Sequence, residues 1–122
     1  MNKVAMESKS NEQLIEMYQK AAFEHQQATN NADPETANRA HDVLASAYRE
    51  LRRRGIDAQS LLLPLLNSPE LGIRSWAAAH ALEFAPEKGV PVLESLSKEP
   101  PWIGFNAKMT LKVWKEGKLR FP

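Results

Sequence analysis

The chain contains no cysteine. Disulfide scaffolds and thiolate chemistry are thereby excluded, and the composition suits a reducing compartment. No apolar run approaches the ~18 residues of a membrane span, and residues 1–10 lack the apolar stretch of a secretory leader. These absences predict a cytoplasmic protein with no membrane partner. There are only five glycines, and none forms a phosphate-cradling loop. Zinc-ligand spacings and Ser or Cys nucleophile motifs are also missing. The chain therefore reads as a non-enzyme with no cofactor and no metal.

What is present is ordinary for a globular protein: 43% hydrophobic and 25% charged residues, which argues against disorder and fibrous repeats. A length of 122 residues predicts one domain burying roughly two-thirds of its unfolded surface. Residues 1–10 are expected to be a flexible N-terminus and residues 11–122 a single domain. The net charge of +1 is unevenly spread. Residues 1–97 carry ten Lys or Arg against thirteen Asp or Glu, and residues 98–122 carry six against two. The C-terminal end is the basic one.

Helical grammar runs through the chain. Ser10 followed by Gln13 is a capping box, after which Leu14, Tyr18, Ala21, His25 and Ala28 step by four and three along one face. Asn30 and Asn31 close that helix, since asparagine tolerates the left-handed turn. Asp33 and Pro34 open a second helix as N-cap and first residue. Ala37, Ala40, Leu44, Ala47 and Leu51 form its buried stripe, and Arg52, Arg53, Arg54 and Gly55 its basic last turn and stop. Alanines on both stripes predict a close antiparallel hairpin.

A third helix over Leu61, Leu62, Leu63, Leu65 and Leu66 must be distorted at Pro64, which lacks an amide and clashes with the preceding turn. Asn67, Ser68, Pro69 and Glu70 start a fourth helix. Its apolar arc over Ile73, Trp76, Ala77, Ala78, Ala81, Phe84 and Ala85 is broad enough to be packed on more than one side. Pro86 opens a fifth helix, and Pro100 and Pro101 a sixth. Ala78 to Ala107 and Leu82 to Leu111 are each 29 residues apart, while Leu63 to Leu93 and Leu66 to Leu96 are each 30 apart. A period near 30 is that of a helical repeat. The predicted fold is all-α, a short solenoid of about six helices in three antiparallel pairs.

Leu-Leu-Pro-Leu-Leu at 62–66, Ile73-Arg74, Ala77-Ala78, Ala81-Leu82 and Ala85-Pro86 resemble HEAT-like repeats, in which the Arg74 position is a hallmark. With Glu12-Gln13-Leu14 and the ending Gly104, Ala107, Leu111, Trp114, Gly117, Phe121 and Pro122, the chain resembles a bacterial family catalogued as domain of unknown function two-thousand-nineteen. The resemblance implies a fold, and no agreed activity. Small bacterial HEAT-like proteins also resemble immunity or accessory partners of larger proteins, which implies a protein-protein interaction module.

Trp102, Phe105 and Phe121, with Lys108, Lys112 and Lys115 on one helix face, are the candidate partner-binding residues. The partner is a protein of unknown identity, and the oligomeric state is left open. The same lysines, with Arg49, Arg52, Arg53 and Arg54, offer nucleic-acid contact as an alternative. Arg74 and His80 lie in or beside the apolar arc and read as structural polar residues, because a buried charge must be paired. His25 and His41 would face each other across the first hairpin. A metal-dependent hydrolase could be drawn there, although such a site needs three or four converging ligands.

Overall fold

The computed structural model describes residues 6–99 and 101–122. They form an all-α fold with six α-helices and one 3-10 helix, and no strand occurs among them. The single domain expected from the length is resolved into two compact units, one running to Leu61 and joined by Pro122, the other spanning Leu62–Phe121.

In the first unit, α1 (Asn11–Asn30) and α2 (Pro34–Arg54) pack as an antiparallel hairpin, followed by the short α3 (Ile56–Gln59). The capping box forms as the sequence predicts. The Gln13 amide donates to Ser10 Oγ at 3.1 Å, and the Ser10 amide donates to Gln13 Oε1 at 2.9 Å. Asp33 caps α2 by accepting from the Thr36 amide at 3.2 Å. Leu14, Tyr18, Ala21 and Ala28 of α1 are buried, as are Ala37, Ala40, Leu44, Ala47 and Leu51 of α2. The stripes read from spacing are therefore the packed ones, except at His25, which is half-buried. Tyr48 is also fully buried, and its hydroxyl oxygen accepts from Gln59 Nε2 at 3.1 Å. That bond satisfies the polar tip of the ring, over which the Arg52 guanidinium carbon stands 5.7 Å from the centroid.

Three local expectations over residues 6–67 need correction. The left-handed residue after α1 is Ala32, at φ +54°, whereas Asn31 stays at φ −93°. The Asp33 amide reaches Ala28 O at 2.8 Å and the Ala32 amide reaches Thr29 O at 3.1 Å. This doubly bonded terminus puts its left-handed position one residue past the asparagines. Second, of the N-terminus expected to be flexible, residues 1–5 lie outside the described residues, but Met6 is 2% exposed. Arg54 donates to the carbonyls of Met6 at 3.3 Å and Lys9 at 2.6 Å, and to Asn11 Oδ1 at 2.9 Å. Residues 6–10 are thus tied down by the end of α2. Third, the leucine-rich third helix is one α-turn followed by a 3-10 helix over Ser60–Asn67. Its exposed positions recur every three residues, at Leu61, Pro64 and Asn67, while Leu62, Leu65 and Leu66 are buried. Pro64 is accommodated by changing the helix type and facing outward.

The second unit contains α4 (Leu71–Phe84), α5 (Pro86–Leu96) and α6 (Pro101–Lys115), each in contact with the other two. α4 begins after Glu70, two residues later than the Ser68-Pro69 motif predicts. Ser68 Oγ accepts from the Glu70 amide in the preceding turn at 3.1 Å. From Leu71 to Phe84 only Glu83 is exposed, so α4 is enclosed on several sides as its broad arc predicts. Gly89 lets α5 approach α4 closely, because a Cβ there would stand 2.8 Å from the Ala78 carbonyl oxygen. Three of the four pairs at 29- and 30-residue spacing share burial, Ala78 with Ala107, Leu82 with Leu111 and Leu66 with Leu96, whereas Leu63 is half-buried and Leu93 buried. No helix among the described residues is long and apolar enough to cross a membrane.

Candidate functional site

α6 is the helix with two apolar sides. Pro101 opens it at a position where a missing amide costs nothing. Ile103, Gly104, Ala107 and Leu111 then form its buried stripe. Gly104 lets this stripe sit tightly on the preceding turn, since a Cβ there would lie 2.5 Å from the Glu99 carbonyl oxygen and 2.9 Å from that of Ser97. On the opposite side, Trp102 is 70% exposed, Phe105 60% and Met109 39%. These three residues recur at i, i+3 and i+7 and so share one face.

Lys108, Lys112 and Lys115 are all exposed along one edge of that face. Lys112 and Lys115 also lie in the last turn, where cations are favoured by the helix dipole. Asn106, on the other edge, is uncharged and exposed. The structure thus brings together five of the six residues singled out from the sequence. Phe121 is the exception: it is half-buried and lies beyond the end of α6. Met109 was missed, although its spacing from Trp102 and Phe105 is the signal that could have found it.

The other candidates resolve differently. His80 is 3% exposed and its ring stacks on Trp76 with centroids 5.8 Å apart. Arg74 is half-buried. The His25 and His41 rings do meet across the first hairpin, with centroids 6.5 Å apart and planes tilted by 55°. Burial, and then the neighbouring His41 ring, lower the proton affinity of His25 below its ordinary value. Among the described residues, no three His, Asp or Glu side chains gather where they could hold one metal ion.

The basic end of α2 is committed to internal contacts. Glu50 is 4% exposed and accepts from Arg53 Nε at 2.9 Å and from Arg54 Nε at 2.8 Å. The Arg53 hydrogen bonds, opposed by burial and reinforced by Arg54, bring the Glu50 carboxyl down to about 2. Sequence spacing shows Glu50 one turn before these arginines, but its burial becomes evident only in the fold. A cleft of about 340 Å³ on the first hairpin is lined by apolar Met17, Ala40 and Val43 together with Lys20, Glu24 and Arg39. Arg39 is paired with Glu35 at 3.3 Å. The cleft thus carries charges of both signs.

The family described as "Domain of unknown function (DUF2019)" matches residues 12–114. No curated protein matches the sequence. The crystal structure of the protein RPA1889 from Rhodopseudomonas palustris CGA009 superposes with a TM-score of 0.85 at 27% identity, covering 94% of this chain and 96% of that one.

Proposed function

From the premise that the chain belongs to the DUF2019 family, we propose that it is a non-enzymatic protein-interaction module of the bacterial cytoplasm, with α6 as its contact helix. HEAT-like repeat geometry is part of this reading, supported by matched burial at three of the four pairs spaced by 29 or 30 residues. An immunity or accessory role beside a larger protein is the biological setting it suggests.

One observation carries the proposal: Trp102 and Phe105 are 70% and 60% exposed on a helix whose other side is already packed. Large aromatic rings left in water on one face are a feature of interaction sites, and tryptophan is enriched among the residues that dominate binding energy. Nearby lysines contribute more to steering and register than to affinity.

Pull-down of the full chain at moderate salt, compared with a Trp102→Ala/Phe105→Ala double variant, tests the reading. The wild type is expected to co-elute with an equimolar protein, and the variant to lose it while keeping the same thermal midpoint. Retention of the same partner by the variant would sink the proposal. So would a co-eluting species that is nucleic acid and is released steeply with salt.

A further inference from the structure

We propose that α6 acts as the inserted element: Trp102, Phe105 and Met109 enter an apolar groove of a protein partner, and an acidic rim on one side of that groove meets Lys108, Lys112 and Lys115. This rests on the reading of the chain as a protein-interaction module and adds the chemistry of the partner. Anchors at i, i+3 and i+7 are the spacing by which an amphipathic helix fills a groove. Over seven residues they span about 10 Å of helix. Because Ile103, Ala107 and Leu111 hold the other side of α6 in its own fold, the helix is already formed before it meets the partner. Its ordering cost falls on folding and not on binding.

The charge pattern identifies the rim. All three lysines lie on one edge of the anchor stripe, whereas the other edge presents Asn106. A groove acidic on one side only is the complement of that asymmetry, and the asymmetry fixes the direction in which α6 lies in the groove. A second copy of this chain fits poorly. Antiparallel pairing of two α6 stripes would set one lysine edge against the other, and residues 98–122 carry six cations against two anions. A nucleic-acid strand fits less well than an acidic groove, because Met109 continues the aromatic stripe without a charge and the cations occupy a single edge.

The test places a photo-crosslinker in the full chain, as Phe105→p-benzoylphenylalanine on α6 and separately Phe23→p-benzoylphenylalanine on α1, in cells that naturally produce the protein. The expected result is a protein adduct at position 105 whose crosslinked segment combines apolar residues with neighbouring Asp or Glu. Combining the crosslinker with Lys108→Glu, Lys112→Glu and Lys115→Glu should lower its yield at least tenfold, whereas three Lys→Arg changes should retain it. An adduct to a second copy, an adduct to nucleic acid, a yield indifferent to charge reversal, or no adduct at 105 would each overturn the inference. A protein adduct at 105 whose yield ignores charge reversal leaves α6 as the contact helix and removes only the acidic rim, whereas an adduct at 23 alone removes α6 from both readings. Adducts at neither position remove both.

Discussion

The imidazole rings of His25 and His41 face each other across the α1–α2 hairpin with centroids 6.5 Å apart. Burial, followed by the charge of His41, disfavours the imidazolium of His25. The unfolded chain therefore takes up the proton more readily. Stability that is complete above about 6.5, the unfolded histidine value, is lost as pH falls through the lower folded value. Thermal melts should show the midpoint dropping between pH 7.5 and 5.5, and dropping less in His25→Gln. An identical slope in that variant would assign the pH dependence elsewhere.

Glu50 gives the opposite end of the pH range. Its carboxyl is depressed from 4.5 to about 2, so its contribution is present above 4.5 and disappears as pH falls through 2. Removing the charge with Glu50→Gln leaves two arginines without their shared acceptor. At pH 7 this should cost about 2 kcal/mol in urea unfolding. The gap between wild type and variant should close toward pH 2, and a constant gap would show that shape rather than charge matters there.

Gly104 makes a third prediction. The Glu99 and Ser97 carbonyl oxygens at 2.5 Å and 2.9 Å from an added Cβ are backbone atoms with little room to retreat. Gly104→Ala should therefore destabilise the second unit by about 1–3 kcal/mol. Denaturant unfolding followed by tryptophan fluorescence measures it, and an unchanged midpoint would mean that the turn before α6 is free to shift.

Ala32 provides a fourth. Held at φ +54°, it occupies a conformation that costs an L side chain roughly 1–2 kcal/mol. Ala32→Gly relieves that strain but adds freedom to the unfolded chain. The expected net result is a stabilisation of about 0.5–1 kcal/mol, read as a higher urea midpoint at unchanged slope.

Local physics made much of the fold legible. A capping hydroxyl at Ser10, a carboxylate at Asp33 and the alanine-leucine stripe of α2 act within one or two turns, so residue spacing alone predicts them. The disturbance at Pro64 is equally local, but the choice of a 3-10 helix depends on which leucines the surroundings bury. Residues 6–10 read as flexible in the sequence because their anchor, Arg54, lies more than 40 positions away and leaves no periodic trace nearby. Spacing likewise places Trp102 and Phe105 together on α6. Their exposure emerges only after Ile103, Ala107 and Leu111 have claimed the inner side. Glu50 illustrates the same limit, because an acid near three arginines looks solvated until its helix packs.

The 3-10 helix at Ser60–Asn67 also sets how far that stretch of chain reaches. Eight residues rising about 2.0 Å each extend roughly 16 Å, against about 12 Å for the same residues wound at the α-helical pitch. Pro64 therefore acts as a spacer as well as a breaker. Wound instead at the α-helical pitch, the stretch would have its two ends about 4 Å nearer and Leu62 and Leu65 off their common line.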